Sequence, residues 1–200
     1  MANVNQAVNY DPLMRYALAP HDSLTLAFAA AVEFARSSSR LPGCGTFGLD
    51  IPEYLSLLDT YFPGAKPIYM SGLQPLNIST SDKTAVWDEF QDLIGLLRGH
   101  RKDDSAETRW LAHAIAACCL GEDHLWQDLG LKDRASLSEI LARFFPSLHA
   151  GNTQGMRWKK YFYKLLCERN ASFVCRSPSC QQCSEYANCF GPEEDASWAR

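Results

Sequence analysis

The apolar residues Val86, Phe90, Leu93, Ile94 and Leu97 recur at i, i+4, i+7, i+8 and i+11. That spacing puts them on one face of a helix and is incompatible with a strand, whose side chains alternate every second residue. The same period returns in Leu111, Ile115, Cys118 and Cys119 before Gly121 supplies a stop, and in Trp158, Tyr161, Phe162, Leu165 and Leu166 on a long amphipathic helix ending near Arg169–Asn170. Ser23 to about Ser37, rich in Leu, Ala and Phe, reads as a buried helix. Asp50 as N-cap, Pro52 in the first turn and a stop at Pro63–Gly64 bound another. Ser136-x-x-Glu139 has the form of a capping box opening a helix that stops at Pro146. No alternating pattern and no internal repeat is present. The expectation is an all-α chain: a single helical domain of about six or seven helices over residues 21–170, preceded by a loosely ordered arm over 1–20. Residues 64–80, with Pro67, Gly72 and Pro75, read as the longest irregular connection.

After residue 170 the character changes. CRSPSCQQCSEYANC, Cys175 to Cys189, places four cysteines at C-x4-C-x2-C-x5-C, and 171–200 reads as a cysteine-rich cluster-binding loop. Three chemistries want thiols this close: disulfides, a structural zinc, or an iron–sulfur cluster. The longest apolar runs, around Leu24–Val32 and Leu111–Leu120, are half the roughly 20 residues a bilayer needs, and the first lies deep in the chain, followed by Glu33 and Arg36. The expected compartment is therefore the cytoplasm, where disulfides seldom persist. Zinc sites usually pair two C-x2-C knuckles or a knuckle with histidines; here Cys180/Cys183 is the one knuckle, and no histidine follows Cys175. Wider gaps suit the separated corners of an iron–sulfur cluster, which leads among the three without closing the case.

Charge adds a local signal. The net formal charge is −4, which advertises no nucleic-acid or membrane partner. Residues 151–176 nevertheless carry Arg157, Lys159, Lys160, Lys164, Arg169 and Arg176 against Glu168 alone, a balance of +5. Such a stretch could stabilise an anionic cluster and gather an anion, or could simply be a solvated helix face.

Two function classes fit a four-cysteine tail. Helix–hairpin–helix DNA glycosylases carry one, and Leu41–Gly45, LPGCG, resembles part of their hairpin. No lysine follows those glycines to act as nucleophile, so the stretch reads as a glycine turn. The other class is a metallocluster carrier. HLWQDLGLKDR (His124–Arg134), FFPSLHAGN (Phe144–Asn152), MRWKKYFYKLLCE (Met156–Glu168) and the tail through Phe190–Gly191–Pro192 together resemble the NifQ family of nitrogen-fixation proteins. The likeness is good over roughly 85–194 and loose over the first 80 residues.

That resemblance implies a non-enzymatic iron–sulfur protein that binds molybdenum and donates it to assembly of the nitrogenase iron–molybdenum cofactor. It implies Cys175, Cys180, Cys183 and Cys189 as ligands of a cluster of the 3Fe-4S or 4Fe-4S type with a molybdenum-containing form. Molybdate would be the source, with the nitrogenase iron protein and the cofactor-assembly scaffold as partners. A carrier must also release its cargo, which suits a site near the surface. Among other residues, His124 could ligate or cap a helix. His113 and His149 read as packed histidines, and Cys167 as a helix-face core position. Cys44, Cys118 and Cys119 read as small buried hydrophobes. No Ser/His/Asp set, phosphate loop or dinucleotide fingerprint supports a turnover role.

Overall fold

The structure, a computed structural model, describes residues 11–38, 45–71, 73, 85–169 and 186–191. Every regular element among them is helical: α1 (Asp11–Met14), α2 (Ser23–Ser37), α3 (Ile51–Tyr61), α4 (Lys66–Tyr69), α5 (Ala85–His100), α6 (Ala106–Cys119), α7 (Leu125–Asp128), α8 (Arg134–Phe144), α9 (Pro146–Gly151), α10 (Trp158–Arg169) and α11 (Tyr186–Phe190). Six of these, α2, α3, α5, α6, α8 and α10, have eleven residues or more, in line with the all-α expectation. The rest are single turns or little more.

Helix α6 is the axis of the fold. Its periodicity suggested one buried face, but Trp110, Leu111, Ala112, Ala114, Ile115, Ala116, Ala117, Cys118 and Cys119 are all buried. Alanines make this possible, because a helix studded with small side chains lets neighbours approach from several directions. Helices α2, α5, α3 and α7 all pack against it. Glu53 on α3 fastens one side, accepting from Arg109 Nη2 at 2.6 Å and from Trp110 Nε1 at 2.8 Å.

Three local expectations are corrected. Helix α8 begins two residues before the S-x-x-E box, with Asp133 as N-cap. Its Oδ1 accepts from both the backbone N–H and the hydroxyl of Ser136 at 2.8 Å. An ionised carboxylate is the stronger acceptor, so Ser136 becomes a donor in the first turn rather than the cap. Pro146 does not merely stop α8 but opens α9, where its missing N–H and fixed φ are harmless. Pro67 likewise sits in the first turn of α4, inside the stretch expected to be irregular.

Of the arm expected over 1–20, residues 1–10 lie outside the described residues. Residues 11–20 are tied down: Leu13 is fully buried and the Leu18 N–H donates to the Tyr61 carbonyl at 3.1 Å. Among the described residues, no helix is long and apolar enough to cross a membrane.

Candidate functional site

The site is built around the first turn of α10. Asn152 and Met156 clasp each other reciprocally, Nδ2 to the Met156 carbonyl and the Met156 N–H to Oδ1, both at 2.8 Å. Arg134 Nη2 donates to the carbonyls of Gly155 and Met156 at 2.8 and 2.9 Å. Gly155 has φ +66°, a conformation glycine adopts without strain. The turn is thus closed from both sides before Arg157 begins the helix. Trp158, Tyr161 and Phe162 then enter the core, with Trp158 stacked on His149 at 5.9 Å. Tyr163 bonds Glu89 and Arg169 reaches Asp92 at 3.3 Å, which fastens α10 along α5.

Cys189 is the one expected cluster ligand among the described residues; Cys175, Cys180 and Cys183 lie outside them. It is half-buried on α11, and both it and Phe190 pack against the core. Arg157 holds this end. Its N–H donates to the Cys189 carbonyl at 2.8 Å and its Nε to the Gly191 carbonyl at 3.4 Å. The Gly191 N–H returns to the Ala187 carbonyl at 2.8 Å, closing the last turn of α11. A Cβ at Gly191 would lie 2.4 Å from that same carbonyl oxygen, so only glycine fits here. Carbonyls at a helix C-terminus have no intrahelical donor, and Arg157 supplies two. Nothing in the spacing of the cysteines pointed to Arg157.

Beside this anchor lies a cleft of about 180 Å³ between Glu122–Leu125 and Arg157–Lys160. His124 lines it from the N-cap of α7, where the capping expectation is met in part: its backbone N–H donates to Gln127 Oε1 at 3.1 Å. A larger cleft of about 410 Å³ shares Lys159 and Lys160 and is bounded also by Val86, Glu89, Cys119 and Tyr163.

The local excess of positive charge is partly offset in the fold. Lys159 Nζ bonds the Asp128 carboxylate and also the Gly121 carbonyl, the latter at 3.0 Å. A Cβ at Gly121 would come within 2.5 Å of the Asp128 side chain, which would have to shift away from Lys159 to admit it. Burial pushes the Asp128 carboxyl upward, against the pull of Lys159. Lys164 pairs with Glu168, and Arg169 with Asp92. Lys160 stays exposed and faces both clefts.

The remaining thiols separate by environment. Cys118 and Cys119 are buried, and desolvation raises both, Cys119 to about 12, so they stay protonated and pack as hydrophobes. Cys167 is half-buried on α10, and Cys44 lies outside the described residues. Among the described residues, no three His, Cys, Asp or Glu side chains are grouped to hold a metal ion. Among the described residues the expected ligand is the Cys189 thiol, chemically suited to a soft metal or cluster iron.

These features define an all-helical protein whose C-terminal thiol-bearing helix is pinned to the start of its last long helix. The NifQ family model matches residues 25–191, and the chain belongs to that family of nitrogen-fixation proteins. It is 43% identical over 151 residues to "Protein NifQ" of Azotobacter vinelandii, covering 73% of this chain and 77% of that one. "Protein NifQ homolog" of Sinorhizobium fredii is 43% identical over 150 residues, 75% of this chain and 63% of the relative. "Protein NifQ" of Rhodobacter capsulatus is 48% identical over 87 residues, 44% and 48% of the two chains. No solved structure matches the chain.

Proposed function

We propose that this chain is a carrier in nitrogenase cofactor assembly: it binds an iron–sulfur cluster through Cys175, Cys180, Cys183 and Cys189, takes up molybdenum there, and donates it to iron–molybdenum cofactor synthesis. The observation that carries this reading is the extent of the family match, which runs to residue 191 and so takes in all four cysteines. The placement of Cys189 supports it, since this half-buried residue, held by the fold at the start of α10, is still partly open to a partner. Cluster sulfides offer molybdenum a soft-ligand site, which oxygen donors in the clefts do not. Molybdate would be the source, and the nitrogenase iron protein and the cofactor-assembly scaffold the partners, in the cytoplasm.

Metal and acid-labile sulfide analysis of anaerobically purified protein, with and without molybdate, tests this against a Cys180→Ala variant. Iron with labile sulfide, and molybdenum that disappears in the variant, is the expected result. Stoichiometric zinc without labile sulfide would make the tail a structural metal site and end the donor reading. Lys160 is the residue through which attraction of an anionic source should be tested, because Lys159 is committed to Asp128. Lys160→Gln is expected to slow molybdenum loading from molybdate at low ionic strength, with the difference shrinking as salt is raised.

A further inference from the structure

We propose that Arg157 is a positioning residue for Cys189, and that the closed turn before it makes this ligand pre-placed, set by the fold before any cluster binds. The proposal rests on Cys189 being a ligand, as read above, but the contacts that place it are made by protein groups alone.

Helix α11 is short. Five residues cannot hold a helix on their own, because nucleation is unfavourable and few bonds follow it. What secures it must be tertiary, and among the described residues the hydrogen bonds to its C-terminal carbonyls come from Arg157. Arg157 contributes its backbone N–H to the Cys189 carbonyl at 2.8 Å and its Nε to Gly191 at 3.4 Å. The two acceptors sit on either side of Phe190, which packs on the core. The last turn of α11 is therefore gripped at two carbonyls and one ring, and one of those carbonyls is that of Cys189 itself.

Arg157 can position something only if it is itself fixed, and it is. Behind it the Asn152–Met156 clasp and the two bonds from Arg134 leave the preceding turn no free carbonyl at Met156. Ahead of it the Arg157 carbonyl accepts from the Tyr161 N–H at 2.9 Å, which opens α10. Arg134 belongs to α8, more than fifty residues before Cys189, so the thiol is registered against the body of the domain rather than its own neighbours in sequence. From the other side, Gly191 removes the one Cβ that would lever the turn apart. A ligand held in advance lowers the ordering entropy that cluster capture would otherwise have to overcome.

The test uses the full-length, reduced, metal-free protein, so it does not depend on cluster loading. Iodoacetamide labelling at low reagent concentration is followed peptide by peptide. Cys118 and Cys119, both buried, report global opening, and Cys167 reports α10. In the wild type Cys189 should label slowly relative to an unfolded peptide. Arg157→Ala, which removes the guanidinium bond, should raise its rate several-fold. Arg157→Pro, which also deletes the N–H donor, and Gly191→Ala, which opens the turn from the opposite side, should each raise it about tenfold, the weight of roughly one strong hydrogen bond. Cys118 and Cys119 should be unchanged in every variant. Unchanged labelling at Cys189 in Arg157→Pro and Gly191→Ala overturns the proposal. So does a parallel rise at all thiols, which would give Arg157 a general structural role. If the wild type carries no iron or labile sulfide, the carrier reading fails while the labelling result stands.

Discussion

Asp128→Asn is expected to lower stability in urea denaturation by about 2 kcal/mol. The Lys159–Asp128 pair is largely buried, with side-chain exposures of 17% and 13%, and removing the carboxylate leaves the ammonium group facing the Gly121 carbonyl without the carboxylate it is bonded to. Breaking a fully buried pair costs about 3–5 kcal/mol, and the residual exposure here argues for the smaller figure. Lys159→Met should be milder and pH-dependent. Asp128 can shed its charge by protonation, and burial already pushes its carboxyl upward, so the loss should shrink as pH falls toward the carboxylate range. The double variant should recover roughly half of the Asp128→Asn loss, since it buries no lone charge. Two single losses that simply add in the double variant would mean the pair is not coupled. Molybdenum loading tested with Lys159→Gln would be confounded by this loss, which is why Lys160 is the residue to change.

The second large effect is acid sensitivity through His113. Its imidazole is partly buried against Phe90 and hydrogen-bonds the backbone of Phe47, and its buried Nδ1 has no partner among the described residues. Desolvation lowers it from 6.5 to about 4, although the carboxylates of Glu53 and Asp50 pull the other way. With the folded value below the unfolded one, the neutral ring contributes stability that is complete above pH 6.5. Below it the unfolded chain takes up a proton the folded chain refuses, and by pH 4 the loss reaches about 3 kcal/mol. His113→Gln should flatten that part of the stability–pH curve. The difference between wild type and variant is what must be measured, because exposed carboxylates titrate in the same window. A constant difference from pH 7 to 4 would show that the ring is not the acid-sensitive group. The strain at this point is visible in the backbone: His113 seats a turn in which Phe47 and Gly48 have φ of +40° and +81°. A Cβ on Gly48 would lie 2.5 Å from Phe90.

Much of the architecture was legible because helix formation is a local matter. Asp50 caps α3 as expected, accepting from the Glu53 N–H at 2.7 Å, and α2 and α10 keep the expected bounds. The misreadings share a cause. At Asp133/Ser136 two capping residues competed, and their order was decided by which oxygen accepts better. At Pro67 and Pro146 a residue that ends one helix also begins another, and only the direction of the following chain tells the two apart. The site was legible in part. The thiols announced themselves by spacing, whereas Arg157, Asn152 and Arg134 carry no motif and act through backbone carbonyls, which any sequence possesses.

Sequence by itself determined that this chain is helical, that its tail concentrates thiols, and that it belongs to the NifQ family, because periodicity, ligand spacing and kinship are written along the chain. Tertiary structure alone decided that α6 is enclosed on nearly all sides, that Asp128 and Asp92 cancel much of the positive charge of α10, and that Cys189 is gripped from Arg157. Those outcomes depend on pairs of groups tens of residues apart, whose electrostatic and hydrogen-bond energies exist only at contact distance.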